Sequence, residues 1–198
     1  MVVGIYGGAF DPVHNGHLAL VNEMLSSGVC SRIKLIPAAH SPLKNKASAS
    51  QDDRLNMLKL AVDSNSFVEI DELEINRSGV SWTIETIRTL TENSPQITFK
   101  LIIGQDNLDS FDKWKNYEEI LDMVDLIVIP RGDGDMVVPE YLSDKCQVLE
   151  GFSMPQSSSK IRKAISCGAV VKDDLPASVF AYIRENNLYS TAEQIPGD

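Results

Sequence analysis

The chain has 198 residues, of which 43% are hydrophobic and 23% charged, and a formal net charge of −10. This composition is typical of one folded domain with a real core, and it excludes a disordered chain or a small disulfide scaffold. The negative charge argues against non-specific binding to nucleic acid or to an anionic membrane, because both need a basic surface.

Short β-rich runs alternate with segments of helical periodicity. The predicted strands are residues 2–6, 32–36, 67–70, 97–103, 126–129 and 147–149. Apolar residues at helical spacing predict helices around residues 18–25, 55–62, 84–90, 120–124 and 179–183. The alternation predicts an α/β fold of the Rossmann-like, doubly wound type, with a mostly parallel sheet covered by helices on both faces. We expect a single domain over residues 1–198, with a frayed tail at 190–198.

The segment that follows the first predicted strand, residues 7–17, reads GGAFDPVHNGH. Its two leading glycines permit unusual backbone conformations and a close approach of ligand, and Pro12 makes the turn rigid. His14 and His17 are three residues apart, so both rings can face outward from the first turn of a helix that begins near Asn15. Free N–H groups and the helix dipole favour an anion there, so the segment predicts phosphate binding.

Other interpretations of this segment remain open. It could be a glycine-rich turn with two surface histidines, or the histidine pair could bind zinc. No cysteine or carboxylate lies at ligand spacing beside the pair, so we rank zinc below phosphate and predict no protein metal site. The glycine spacing fits neither the dinucleotide fingerprint G-x-G-x-x-G nor the P-loop.

Ligands of an open α/β sheet bind outside the carboxyl ends of the strands. The segments that follow predicted strands, and would share this crevice, are 7–17, 37–44, 104–106 and 130–131. Residues 38–52 and 131–139 have the composition of long loops, which are often lids or binding loops.

Two further features predict a cytoplasmic location. The three cysteines, at positions 30, 146 and 167, are odd in number and lack C-x-x-C spacing, which is typical of reduced, mostly buried thiols. The longest apolar runs are too short to cross a bilayer, and Met1 leads directly into a predicted strand without a signal peptide.

Two strings resemble the signatures of the nucleotidyltransferase superfamily of adenylyl and cytidylyl transferases. HNGH at residues 14–17 matches its H-x-G-H string. QSSSKIR at residues 156–162 resembles its late I-S-S-T-x-I-R string, with Gln156 and Ser159 in place of isoleucine and threonine. The serine keeps the hydroxyl, and the two strings occur in the expected order.

Within that superfamily, four further stretches resemble the bacterial nicotinate mononucleotide adenylyltransferases. Residues 37–44 resemble P-x-x-x-P-P-H-K with Leu43 in place of histidine, and residues 81–88 resemble S-Y-T-I-x-T-L-R. Residues 103–114 resemble the G-A-D…F…W segment with Gln105 in place of alanine, and residues 182–189 end in the Y-I…L-Y pattern. The resemblance covers nearly the whole chain.

The resemblance implies that AMP is transferred from ATP to nicotinate mononucleotide, giving deamido-NAD and pyrophosphate in NAD biosynthesis. The nucleophile would be the substrate's own phosphate, so no acyl-transfer triad or activated cysteine is needed. The protein would align two anions and stabilise charge on the α-phosphate and the leaving pyrophosphate. Mg²⁺ is expected with ATP as its cofactor.

The resemblance also assigns roles to individual residues. The expected catalytic residues are His14, His17, Lys44 and Arg162. The expected ATP-binding residues are Gly7, Gly8, Ala9, Phe10, Gly104, Asp106, Arg131, Ser157, Ser158 and Ser159. The expected contacts of the nicotinate nucleotide are Trp82, Thr83 and Trp114, with the Trp114 indole stacked on the pyridinium ring.

Several alternatives stay open at this point. Asp106 could cap the helix that follows it, and either tryptophan could serve in core packing. The enzyme could be a sister transferase acting on nicotinamide mononucleotide or phosphopantetheine, or the chain could be a nucleotide-binding sensor without turnover. The expected partners are the small molecules ATP and nicotinate mononucleotide, without nucleic acid or membrane, and a homo-oligomer is left open.

Overall fold

The computed structural model describes residues 1–39, 47–77, 79–130, 136–152 and 154–190. The strands in these ranges are β1 (Val2–Gly8), β2 (Arg32–Pro37), β3 (Val68–Ile70), β4 (Thr98–Gly104), β5 (Asp125–Ile129) and β6 (Cys146–Val148). The α-helices are α1 (Asn15–Ser26), α2 (Gln51–Val62), α3 (Leu73–Arg77), α4 (Thr83–Asn93), α5 (Gln105–Leu108), α6 (Tyr117–Met123), α7 (Ser158–Ser166) and α8 (Ala177–Glu185). Short 3₁₀ turns occur at Phe111–Lys113 and Glu140–Leu142.

The strands form one sheet in the order β3-β2-β1-β4-β5-β6, and every neighbouring pair is parallel. Strand β1 lies inside the sheet, where Tyr6 is opposite Leu35 of β2 on one side and Ile102 of β4 on the other. The chain builds one half of the sheet from β1 to β3 and then crosses to β4. The connections therefore diverge at the carboxyl ends of β1 and β4, and the predicted Rossmann-like fold is confirmed.

Alternating side chains of each strand pack on opposite faces of the sheet. In β5, Leu126 and Val128 belong to one apolar cluster, whereas Ile127 and Ile129 belong to the other. Residues of α1, α2, α7 and α8 complete the cluster that contains Ile127, and residues of α4, α5 and α6 complete the second one. Burial of both faces explains why these strands are nearly continuous apolar runs.

The predicted strands all occur, with ends that differ by one or two residues. Helices α3 and α5 were not predicted, because their five and four residues are too few to show a helical period. The prediction that the two glycines at positions 7 and 8 lie in a turn is wrong, because β1 continues through them and pairs with β2 as far as Pro37.

Candidate active site

An open cavity of about 130 Å³ lies at the carboxyl edge of the sheet. One side is formed by Gly7 and Gly8 at the end of β1, by Ala9, which follows them, and by residues at the end of β2. The other side is formed by Trp82, Thr83 and Trp114. The structure therefore brings the expected nucleotide-binding glycines together with all three expected nicotinate contacts.

The glycines of β1 matter for access rather than for an unusual backbone conformation. Neither is among the residues with positive φ, which include Phe10 at 48°. A Cβ at Gly7 would meet only the Ile36 carbonyl oxygen, at 4.0 Å, whereas one at Gly8 would lie 3.3 Å from the Phe10 ring. The glycines keep this cavity wall free of side chains, so a ligand can approach the backbone.

His14 and His17 form a stacked pair at the start of α1. His14 is the N-cap residue, its backbone N–H donates to Nδ1 of His17 at 3.1 Å, and the two ring centroids are 3.6 Å apart. Because Nδ1 of His17 accepts this hydrogen bond, the ring hydrogen of His17 lies on Nε2. His17 is thus held as an Nε2–H donor.

The prediction that both rings face outward is wrong for His14, which is 1% exposed. The segment that precedes α7 packs over Gly16, so closely that an added Cβ would lie 2.8 Å from Met154 Cγ and 2.9 Å from Gln156 Oε1. Burial lowers the pKa of His14 from 6.5 to about 4, so the ring is neutral at pH 7. Its buried Nδ1 has no hydrogen-bond partner among the residues that the structure describes.

The Ser-rich string, residues 156–162, packs on the turn between β1 and α1 that carries the histidines. The Ser158 hydroxyl donates to the Pro12 carbonyl oxygen at 3.0 Å. Arg162 Nη1 donates to the Asp11 carbonyl oxygen at 2.7 Å and lies 3.6 Å from the Asp11 carboxylate. Helix α7 begins beside it with Ser157 at the N-cap position. The two strings, far apart in the sequence, therefore meet at the turn between β1 and α1.

Asp11 is a structural centre of this turn that the sequence analysis did not single out. Its carboxylate is 2% exposed and accepts the Ser48 N–H at 2.7 Å, the Ala49 N–H at 3.0 Å and the Tyr189 hydroxyl at 2.8 Å. Burial, and the neighbouring Asp11 charge, raise the pKa of Tyr189, so its hydroxyl stays a donor. The only sequence signal was a carboxylate placed between apolar residues.

Arg54 supports the same turn from α2. Although it is charged, its side chain is 1% exposed, and Nη1 donates to the Ala9 carbonyl oxygen at 2.7 Å. Helical periodicity places this residue on the buried face, but the sequence alone does not indicate its partner.

The second side of the cavity is aromatic. Trp82 is the N-cap residue of α4, and the Lys115 ammonium lies 5.1 Å from the centre of its ring. The Trp114 ring lies 5.2 Å from that of Phe111, and its buried Nε1 has no acceptor within the described part of the chain. Both tryptophans also pack against the apolar cluster of α4. Core packing and cavity lining are therefore compatible at these positions.

Four other expected ATP-binding or catalytic residues lie outside this constellation or outside the described ranges. Gly104 is the N-cap residue of α5. Asp106 lies in the first turn of that helix and is exposed, so the interpretation of Asp106 as the N-cap residue is wrong. Lys44 and Arg131 fall on residues 40–46 and 131–135, which lie outside the described residues.

Several residues that line the cavity were given no role by the sequence analysis, although two of them, Ser81 and Thr86, belong to the stretch 81–88 that it identified. They are Glu74, Ser81, Thr86, Asn107, Lys113 and Lys115. Within the described ranges no group of three or more His, Cys, Asp or Glu side chains is arranged to hold a metal ion. No helix in those ranges is long and apolar enough to span a membrane.

The comparisons with known proteins agree with this arrangement. A profile of the cytidylyltransferase-like family matches residues 5–164. A probable nicotinate-nucleotide adenylyltransferase of Leptospira borgpetersenii serovar Hardjo-bovis is 38% identical over 96% of this chain and 98% of its own length. One of Herpetosiphon aurantiacus is 33% identical over 94% of this chain and 98% of its own length.

Among solved structures, the nicotinic acid mononucleotide adenylyltransferase of Plasmodium falciparum, complexed with NaAD, superposes with a TM-score of 0.78. It is 22% identical, and the match covers 95% of this chain and 97% of that chain, so this likeness bears on the fold alone. The two relatives matched by sequence, at 38% and 33% identity over nearly the whole chain, show the family as well as the fold. The chain belongs to the cytidylyltransferase-like family and, within it, to the nicotinate-nucleotide adenylyltransferases.

Proposed function

We propose that this chain transfers AMP from ATP to nicotinate mononucleotide, releasing pyrophosphate and forming deamido-NAD. One observation carries the proposal: the glycine end of β1 and the Trp82–Trp114 wall line a single cavity. Along the chain, β1 leads directly into the turn that holds both histidines. The relatives that match nearly the whole chain are named for this reaction.

The phosphate of nicotinate mononucleotide attacks the α-phosphorus of ATP, and the bond to pyrophosphate breaks. His17 donates a hydrogen bond from Nε2–H to a phosphate oxygen on which negative charge develops. The neutral His14 ring, stacked on His17, is a second imidazole beside it and adds no charge. Arg162 supplies the positive charge for the leaving pyrophosphate. Its guanidinium group is already held in place, because Nη1 donates to the Asp11 carbonyl oxygen. Groups that are oriented before the reaction stabilise charge without a cost of reorganisation.

The pyridine ring stacks on the Trp114 indole, and its carboxylate lies at the start of α4. The N-cap residue there is Trp82, whose side chain has a donor but no acceptor to cap the first turn. The first-turn N–H groups, beginning with Thr83, are therefore suited to an anionic ligand.

The protein groups at the turn suit the triphosphate rather than Mg²⁺, so Mg²⁺ would arrive bound to ATP. Imidazole, guanidinium and N–H groups dominate the turn, whereas Mg²⁺ prefers oxygen ligands, so phosphate oxygens and water would hold it. Bound in this way, Mg²⁺ neutralises charge on the triphosphate. We propose that the reaction takes place in the cytoplasm.

The proposal is tested by pyrophosphate release from Mg-ATP with each acceptor in turn: nicotinate mononucleotide, nicotinamide mononucleotide and phosphopantetheine. We expect the highest kcat/KM with nicotinate mononucleotide, and loss of turnover when the metal is chelated. Preference for another acceptor would reassign the enzyme to a sister reaction. Binding of ATP without release of pyrophosphate, for every acceptor, would identify a sensor.

A further inference from the structure

Glu74 is a buried carboxylate at the cavity that the proposed reaction does not use. It lies on α3, is 9% exposed and lines the same cavity as Trp82 and Thr83. Burial raises the pKa of Glu74, because the charged form loses its hydration. A carboxylate is a costly choice for such a position, since an apolar side chain would pack there without that cost.

The carboxylate holds two hydroxyl groups at the start of α4. Thr86, which is 2% exposed, donates its hydroxyl hydrogen to Glu74 Oε1 at 2.8 Å. The Ser81 hydroxyl lies close enough to lower the pKa of the Glu74 carboxyl group, and its oxygen accepts the Ala39 N–H at 3.0 Å. The hydroxyl hydrogen of Ser81 remains to be donated, and a carboxylate such as Glu74 only accepts.

These bonds fix Trp82 and Thr83, two of the three residues proposed to contact the pyridine nucleotide. Ser81 immediately precedes Trp82, and the N–H of Thr86 lies 3.3 Å from the Trp82 carbonyl oxygen. The chain between the two hydroxyl anchors contains only Trp82, Thr83, Ile84 and Glu85. The bond to Ala39 ties the same segment to the residues that follow β2.

The charged side chains near Glu74 form their ion pairs with a different carboxylate, Glu85. Arg77 lowers the pKa of Glu74 through space, but its own ion pair is with Glu85 at 3.4 Å. Lys115, which lines the cavity, is paired with Glu85 as well, at 2.8 Å.

We propose that Glu74 is a positioning residue for the pyridine nucleotide, and that it acts through Ser81 and Thr86 to fix the first turn of α4. The inference rests on the proposed function, because it takes the cavity wall at Trp82 and Thr83 as the site of that substrate. It assigns no contact between Glu74 and the substrate itself.

The test compares variants of the full chain in steady-state kinetics with both substrates. Glu74→Gln keeps the volume but leaves one acceptor oxygen, and Thr86→Val removes a hydroxyl at constant shape. We expect each to raise the KM for nicotinate mononucleotide about tenfold, with the KM for ATP and kcat changed less than about twofold. Thr86→Ser, which restores the hydroxyl, should return the KM to near the wild-type value.

Thr89→Val is the matched control, because the Thr89 hydroxyl on the same helix donates to the Glu85 backbone oxygen and does not line the cavity. It should leave both KM values unchanged. A second readout is the quenching of tryptophan fluorescence by nicotinate mononucleotide, since the only two tryptophans of the chain are Trp82 and Trp114. The dissociation constant should weaken in parallel with the KM.

Equal increases of both KM values, or no change in either, would overturn the positioning role. If Glu74→Gln does not fold, Thr86→Val and its serine rescue decide the question alone. Failure of the proposed function is a separate result: the wild-type chain would then show neither turnover with nicotinate mononucleotide nor a fluorescence response to it.

Discussion

At the scale of single residues, the proposed chemistry depends most on His17. Its Nδ1 accepts the His14 N–H, so Nε2–H is the hydrogen-bond donor of the ring. Substitution by alanine removes this donor, and we expect His17→Ala to lower kcat/KM about a hundredfold or more. Steady-state kinetics, with circular dichroism to verify folding, would measure the effect. Near-normal turnover in a folded variant would remove His17 from the mechanism.

His14 makes the stability of the protein depend on pH. Its pKa is about 4 in the folded chain and 6.5 when unperturbed, so between these values the unfolded chain binds more protons. The contribution of neutral His14 is complete above pH 6.5 and is lost as the pH falls toward 4, by about 3 kcal/mol in total.

Urea denaturation at pH 7.5, 6 and 5 measures this loss. The comparison variant is His14→Asn, which cannot titrate in this range, so the difference between the two proteins isolates the imidazole. We expect the free energy of unfolding of the wild type to fall more steeply with acid than that of the variant. Parallel pH dependences would show that His14 is not buried as a neutral ring.

At the scale of elements, the site is built by the contact of α1 with the segment before α7. Gly16 permits that contact, because an added Cβ would approach Met154 and Gln156 to less than 3 Å. We expect Gly16→Ala to lower the free energy of unfolding by about 1–3 kcal/mol and to weaken ATP binding, since the Ser-rich string must move. Ala19→Ser, exposed on the same helix, should stay within about 0.5 kcal/mol of wild type.

Thermal melts and ATP titration by calorimetry would measure both effects. Unchanged stability and affinity in Gly16→Ala would show that the two segments are not in close contact. Weaker ATP binding without loss of stability would still support the contact, because it would place the displacement at the site.

At the scale of the whole molecule, Asp11 joins the first turn to the end of the chain. The Tyr189 hydroxyl donates to its carboxylate at 2.8 Å across 178 positions of sequence. We expect Tyr189→Phe to lower the free energy of unfolding by about 1–2 kcal/mol, because it leaves a buried carboxylate with one donor fewer.

A double-mutant cycle provides the control for this contact. In an Asp11→Asn background, Tyr189→Phe should cost measurably less, since the charged acceptor is already gone. Equal costs in both backgrounds, measured by urea denaturation, would show that the two side chains do not interact.

The sequence predicted most of the fold because strands buried on both faces are read directly from apolar runs such as that of β5. It also predicted that Gly7, Gly8, Trp82 and Trp114 belong together, through their resemblance to a known pattern. It did not predict the burial of His14, because burial of a side chain depends on tertiary contacts that a local sequence pattern does not show.

Other parts of the site were out of reach for the same physical reason. Glu74 lies on a helix of five residues, which is too short for a periodic signal. The roles of Asp11 and Arg54 follow from their partners, and those partners come from other elements of the chain. Polar side chains of this kind are recognised only when the tertiary structure is known.

The most direct test of the central claim is the fate of the α-phosphate. With ATP labelled at the α-phosphorus, Mg²⁺ and nicotinate mononucleotide, we expect the label to appear in deamido-NAD, in an amount equal to the pyrophosphate released. Label that stays in ATP, or that appears as free AMP while no dinucleotide forms, would contradict AMP transfer at this cavity.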